Sequence, residues 1–322
     1  MGILLSKEHF AFSKYELSTV FDNDEIEYTD NLAVIETDDI SRFNERLDIL
    51  SYAKEAYELM AQADDWDQML RDVEEADITQ FAFPDETYKV DSLRIGNTHQ
   101  ATDRGLLAGL TNTTGELQVD VENPDALFVH LKGDKHSYGR KIWENTEPFT
   151  NRRNDNLPAS HPTGMDPRRG RAMINIAQAD EHILDPFCGA GGLLLEAGLL
   201  GFKVTGIDHD SRMIERAQTN LDAFDIDAEL IHGDALDEPF DADTVVTDVP
   251  YGRNSTTSKP ADELFASFLE RLGDSDVKRA VICHPAEESF SDLISVLDDN
   301  PESFDFYVNS NLTRRITVLQ LT

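Results

Sequence analysis

Asp248-Val249-Pro250-Tyr251 brings a carboxylate, a rigid backbone carbonyl and an aromatic ring together at the end of a strand-like run, Asp243–Thr247. That trio suits chemistry on the exocyclic amine of a flat base. Such an amine is a poor nucleophile because its lone pair is delocalised into the ring. The Asp248 carboxylate and the Pro250 carbonyl can accept its two hydrogens and favour the pyramidal nitrogen that attacks. Proline fixes the backbone that aims this carbonyl. Tyr251 can stack on the base, and Asp248 can take the released proton.

A second segment, Asp185–Gly192 (DPFCGAGG), is a glycine-rich turn directly after the apolar run His182–Leu184. Gly189 and Gly191 fit the first two positions of a dinucleotide fingerprint, but the third is Leu194, which argues against a nicotinamide dehydrogenase. The arrangement instead resembles the first motif of S-adenosylmethionine-dependent methyltransferases. There the backbone passes close to the methionine part of the cofactor, where a Cβ would obstruct it. Asp185 can meet the cofactor's positive amino group, with Phe187 and Cys188 in the turn beside it. Asp208, 23 residues after Asp185, can accept bonds from both ribose hydroxyls at the end of the next strand. Asp234, with Ala235 in HGDAL, is placed for the adenine amine. The joint expectation is an S-adenosylmethionine-dependent amino-methyltransferase.

The elements that must position these residues follow from periodicity. From Asp166 onward the chain reads as repeated βα units: helices near Pro167–Ala177, Leu193–Leu200, Ser211–Phe224, Asp262–Leu272 and Glu288–Leu297 alternate with strands. Those strands are His182–Leu184, Lys203–Ile207, Glu229–His232, Asp243–Thr247 and Ala280–Cys283, followed by a hairpin of Phe304–Asn309 and Arg315–Leu319. This predicts an α/β fold with a doubly wound sheet, ligands binding at the carboxyl ends of its strands. The N-terminal part mixes strands (Ile3–Leu5, Glu27–Ile35, Glu86–Ile95, Leu117–Val121, Leu127–Leu131, Lys135–Glu144) with helices (His9–Phe21, Asp65–Val73, Thr98–Leu110). Between the two, Phe149–Gly170 is rich in proline and poor in apolar residues, and reads as a linker or ordered surface loop. From Arg152 to Arg171, five arginines (Arg152, Arg153, Arg168, Arg169, Arg171) face two aspartates. Phosphate contacts beside the active site are the functional reading of this cluster.

Composition sets the outer limits. The chain has 322 residues, enough for two domains, and no apolar run long enough to span a bilayer. The N-terminus does not read as a secretory signal, so a cytoplasmic location is expected. Two cysteines, Cys188 and Cys283, without CxxC or a histidine set, imply free thiols and no metal site. The formal net charge is −35, spread along the whole chain. An acidic surface of this kind suits molar salt, where screening shortens the Debye length to about 3 Å. A halophilic source is therefore expected.

Both motifs, together with HPTGMDPRRGRAMINIA (His161–Ala177) and the final hairpin NLTRRITVL (Asn311–Leu319), resemble the archaeal tRNA (guanine-10 N2)-methyltransferases. Ile95–Leu131, with VDVENPDALFVHL, resembles a THUMP domain, a tRNA-binding module preceded by a ferredoxin-like segment. The resemblance implies an N-terminal α+β ferredoxin-like and THUMP region over residues 1–148, a basic linker over 149–165 and a Rossmann-like methyltransferase domain over 166–322. It implies S-adenosylmethionine as cofactor, tRNA rather than DNA as partner, and for some relatives a small activator protein. Methyl transfer to N2 of guanosine 10, once or twice, would require that base to leave its stack. The family commonly has Asp-Pro-Pro-Tyr, so Val249 is a departure, at an apolar position where activity should survive. Two other readings are a DNA or RNA adenine N6-methyltransferase and a catalytically inactive tRNA-binding protein. The THUMP-like half argues against a DNA enzyme, and the intact motifs against an inactive one.

Overall fold

The computed structural model describes residues 1–22, 25–77, 80–83, 85–96, 101–112, 117–162, 164–250, 260–298, 300–309 and 312–321. They form two compact units, one of residues 1–48 and 52–146, the other of 49–51 and 147–322.

The first unit contains β1 (Gly2–Leu5), α1 (Phe10–Phe21), β2 (Glu27–Thr29), β3 (Leu32–Val34), α2 (Ile40–Ile49) and β4 (Ala53–Ala63). Then follow α3 (Trp66–Glu75), β5 (Thr87–Arg94), α4 (Arg104–Thr111), β6 (Gln118–Val119), β7 (Ala126–Lys132) and β8 (His136–Glu144). Among the described residues these strands make one mixed sheet in the order β2-β3-β1-β4-β8-β7-β5-β6. Periodicity misses β4 and α2 altogether. The β4 sequence AKEAYELMAQA is rich in helix formers, but it pairs antiparallel with both β1 and β8. Tertiary pairing here overrides weak local propensity. The single strand expected over Glu27–Ile35 is two, β2 and β3, paired antiparallel around a turn at Asp30, whose φ is +53°. The helix expected from Thr98 begins only at Arg104, capped by Asp103 accepting from the Leu106 amide at 2.9 Å. Residues 97–100 lie outside the described residues.

The second unit carries the two motifs. Its elements are α5 (Pro167–Ala177), β9 (His182–Asp185), α6 (Gly192–Leu199), β10 (Lys203–Asp208), α7 (Ser211–Asp222), β11 (Ala228–His232) and β12 (Thr244–Asp248). They continue with α8 (Ala261–Gly273), β13 (Arg279–Pro285), α9 (Glu288–Ile294), β14 (Glu302–Asn309) and β15 (Leu312–Gln320). The sheet runs β11-β10-β9-β12-β13-β15-β14. Strands β11 to β13 are parallel and the final pair is antiparallel, as the sequence predicts. Central strands β9, β12 and β13 are buried almost throughout, because helices cover both faces of a parallel sheet. The strand order reverses at β9, which lies between β10 and β12. That switch point opens a crevice at the carboxyl ends of β9 and β12. Asp185 and Asp248 are the last residues of those two strands.

The stretch expected to be a linker belongs to this compact unit. Phe149, Leu157 and Met165 are buried, and the Ala159 amide donates to Asn220 Oδ1 on α7 at 2.9 Å. Arg216 of α7 donates to the Ser160 carbonyl at 2.6 Å.

Candidate active site

A cavity of about 910 Å³ opens at the switch point. Asp185, Phe187, Cys188 and Gly189 of the glycine turn, Asp208 of β10, and Asp248 and Pro250 all line it. Its apolar wall includes Met165, Leu193, Met213 and Phe290. Tyr251 lies outside the described residues.

The turn is built as its glycines require. Gly189 has φ +52° and Gly191 φ +82°, and a Cβ on Gly191 would stand 3.1 Å from that of Ala217 on α7. The Gly189 amide donates to Asp208 Oδ2 at 3.0 Å, so β10 holds the turn directly. Asn220 Nδ2 donates to the Ala190 carbonyl at 2.9 Å from the other side. Leu194 is fully buried, with Cδ1 2.5 Å from where a Cβ of Gly206 would stand. Cys188 packs in the same place, its Sγ 3.0 Å from that point. Burial pushes the Cys188 thiol up, as it does that of Cys283. Both cysteines are free, buried, unreactive side chains. Among the described residues no cluster of three or more histidine, cysteine or acidic groups could hold a metal ion.

Asp185 is 2% exposed, and accepts from Thr247 Oγ1 at 2.6 Å and the Phe187 amide at 3.1 Å. Burial pushes its carboxyl up to about 7, against the pull of those two donors, and the charges of Asp248 and Asp208 push it further the same way. Burial raises Asp208 as well, although it accepts from the amides of Gly189 and Asp210. The buried Asp185 and the half-buried Asp208, with apolar side chains lining the same cavity, fit a ligand that carries an ammonium, ribose hydroxyls and apolar surface. S-adenosylmethionine is such a ligand. A folded-state pKa above the unfolded value makes the ionised form costly. Stability from this group is full below about pH 4 and is lost as pH rises through 7. A cationic ligand reverses the preference. Affinity for S-adenosylhomocysteine should therefore rise with pH up to about 7, by close to tenfold per unit, and level off above it. Calorimetric titrations from pH 5.5 to 8.5 check this; Asp185→Asn should flatten the profile, and a flat wild-type profile refutes it.

Asp248 is held between strands. Arg314 Nη2 of β15 donates to its Oδ2, and the pair is mostly buried. Val249 is buried in the core cluster with Phe265, Phe268 and Phe290, at the edge of the cavity wall. This placement explains why an apolar residue serves at that position. The sequence points to NLTRRITVL but not to Arg314 within it; strand alternation puts Arg314 and Arg315 on opposite faces, and only register shows which one meets Asp248. Asp234 and Ala235 are not in the cavity wall; Asp234 accepts from the Leu236 amide at 2.9 Å and is exposed.

The arginine cluster is not a single exposed patch. Arg152 and Arg171 are each 4% exposed and converge on Glu196 of α6, which is 1% exposed. Arg152 Nε donates to Glu196 Oε1 at 2.7 Å, Arg171 Nε to Oε2 at 3.1 Å, and Arg152 also pairs with Glu147 at 2.7 Å. Phe149 lies under the group, its ring 5.0 Å from the Arg152 guanidinium. A cation sealed against a buried carboxylate cannot reach a phosphate, so these two are structural. Arg153 remains exposed, Arg168 is half-buried against Phe149 at 5.2 Å, and Arg169 stacks on Phe306 at 4.4 Å.

The family model UPF0020, an RMKL-like methyltransferase domain, matches residues 154–315. The tRNA (guanine(10)-N2)-dimethyltransferase of Methanothermobacter thermautotrophicus is 32% identical over 99% of both chains. The chain belongs to that family. A Pyrococcus abyssi member is 35% identical over 60% of each chain. Among solved structures, TrmN from Thermus thermophilus has a TM-score of 0.58 at 15% identity, covering 100% of this chain and 99% of its own. SMU.472, a putative methyltransferase complexed with SAH, has a TM-score of 0.53 at 14% identity, covering 100% and 97%. These two likenesses bear on the fold alone.

Proposed function

We infer that methyl transfer from S-adenosylmethionine to N2 of guanosine 10 in tRNA takes place in this cavity. The chain is an S-adenosylmethionine-dependent tRNA (guanine-N2)-methyltransferase. The supporting observation is a full-length likeness to a guanine-10 enzyme in a chain whose two strand-end carboxylates, Asp185 and Asp248, open into one cavity.

When bound, the cofactor supplies an electrophilic methyl group on a sulfonium. Asp185 would accept from its ammonium and Asp208 from its ribose; Asp234 and Ala235 are assigned to the adenine end on sequence spacing alone. Asp248 and the Pro250 carbonyl accept the two hydrogens of the guanine amine, and Asp248 takes the proton released. Tyr251 stacks on the base, which must flip out of its stem to arrive. Proposed products are N2-methyl- and N2,N2-dimethylguanosine. Residues 1–148 serve as the ferredoxin-like and THUMP region that grips tRNA by shape and phosphates, with Arg153 and Arg168 as further phosphate contacts. A small activator protein is a further proposed partner on the resemblance alone. No helix among the described residues is long and apolar enough to cross a membrane; a cytoplasmic location is proposed.

The net charge of −35 supports a halophilic habit. The protein should melt at a lower temperature in dilute than in molar KCl, and equal melting temperatures contradict this. For the activity itself, nucleosides from tRNA of a deletion strain should lack dimethylguanosine at position 10. Its persistence, with no second copy of the gene, overturns the assignment.

A further inference from the structure

Asp248 is held in place by residues of two neighbouring strands. It pairs in register with Cys283 on β13, and Cys283 pairs in turn with Ile316 on β15. Arg314 lies two residues from Ile316, on the same face of the sheet and opposite Pro285. From there its side chain crosses β13 to donate to Asp248 Oδ2, while both residues line the cavity. Arg315, on the opposite face, pairs instead with Asp305 of β14, with Nε 2.6 Å from Oδ1. Two adjacent arginines thus have separate partners, and only one of them reaches the site.

We propose that Arg314 is a positioning residue for Asp248: its guanidinium holds the carboxylate as an anion, aimed at the cavity, ready to accept the amine. This rests on the reading of Asp248 as the acceptor. The need for such a residue comes from burial. Asp248 Oδ1 is shut off from solvent and, among the described residues, only the weak donor of the Cys283 thiol is at hand for the carboxylate besides Arg314. Desolvation favours a neutral acid there, and an uncharged carboxyl has lost its capacity to take a proton from the amine. The groups facing it are Arg314 from β15, Arg169 from α5, the Cys283 thiol from β13 and Asp185 from β9. The two arginines and the Cys283 thiol, which donates to the carboxylate, all favour the anion, and Arg314 is the one cation in direct contact with it. Asp185 opposes ionisation until the cofactor's ammonium neutralises it. An arginine stays charged throughout the working range, so the arrangement is constant with pH.

The test is the pH profile of methyl transfer to a tRNA transcript at saturating cofactor, where titration of Asp185, which acts on cofactor affinity, does not enter. Arg314→Gln should move the acidic limb of kcat upward by more than about one pH unit. Arg314→Lys, which keeps the charge, should move it by less than half as much, and Arg315→Gln should leave it in place. A uniform rate loss at every pH, or a rise in KM for tRNA alone, overturns the proposal. If Arg314→Gln is too inactive to profile, melting temperatures decide: it should destabilise the wild type at pH 8 more than it destabilises Asp248→Asn. Equal losses in the two backgrounds overturn it as well. Full activity in Asp248→Asn would instead remove the acceptor reading itself, whereas an inactive Asp248→Asn beside an unmoved limb removes only the role of Arg314.

Discussion

Asp248→Ala should lower methyl transfer to tRNA by about 10³-fold or more while cofactor affinity is retained. The reason lies in the acceptor rather than the donor. An aromatic amine attacks only as its lone pair leaves the ring, and that change needs oxygen atoms aimed at both of its hydrogens. On the proposed reading Asp248 and Pro250 supply those oxygens, in the cavity that Asp185 and Asp208 also line. Alanine removes the charged acceptor and strands Arg314, so Asp248→Asn is the cleaner companion: it keeps the shape and one acceptor oxygen but loses the charge. Asp208→Ala should show the opposite split. It takes an acceptor from the Gly189 amide and loosens the turn, so cofactor binding falls first. Single-turnover rates and calorimetry separate the two. Equal loss of binding and rate in both variants points to damaged folding and contradicts the division of labour.

Glu196→Ala should destabilise the second unit by about 3–5 kcal/mol, because it leaves two buried guanidinium groups facing each other without their shared carboxylate. Arg152 and Arg171 both bond to Glu196, and Glu147 reaches only one of them closely, at 2.7 Å from Arg152 against 3.9 Å from Arg171. Burial raises the Glu196 carboxyl, and the two arginines pull it back down. For a unit of this size the loss is a fall of roughly 10 °C in melting temperature. Glu196 stands one turn into the helix that the glycine motif begins, so the network also ties residues 147–171 to the cofactor turn. Glu181→Ala, at an exposed position, should stay within about 0.5 kcal/mol of wild type. A Glu196→Ala melting temperature within the scatter of the wild type contradicts the account.

What could be read from the sequence was whatever short-range pattern decides. Strands β9, β10, β12 and β13 are apolar runs closed by Asp185, Asp208 and Asp248 or preceding a helix, and a buried parallel sheet admits little else. The glycine turn was legible because positive φ at Gly189 and Gly191 is a local demand. Strand β4 was not, since its alanines and glutamates favour helix and only its two neighbours make it a strand. Arg314 was hidden for a similar reason: it is 66 residues from Asp248, and their meeting depends on the register of β12, β13 and β15. The basic stretch misled in the same way. Arg152 looks like a surface cation until Glu196, 44 residues on, takes it inside. Charge read along a chain says nothing about which charges a fold will pair.

In the proposed reaction one cavity takes a methyl group from S-adenosylmethionine and gives it to a guanine amine of tRNA. Purified protein, incubated in molar KCl with an unmodified tRNA transcript and methyl-labelled cofactor, tests it most directly, by digestion and mapping of the label. Label should appear on N2 of guanosine 10 and be absent with Asp248→Ala. Label on another base or position, or undiminished label with Asp248→Ala, contradicts it.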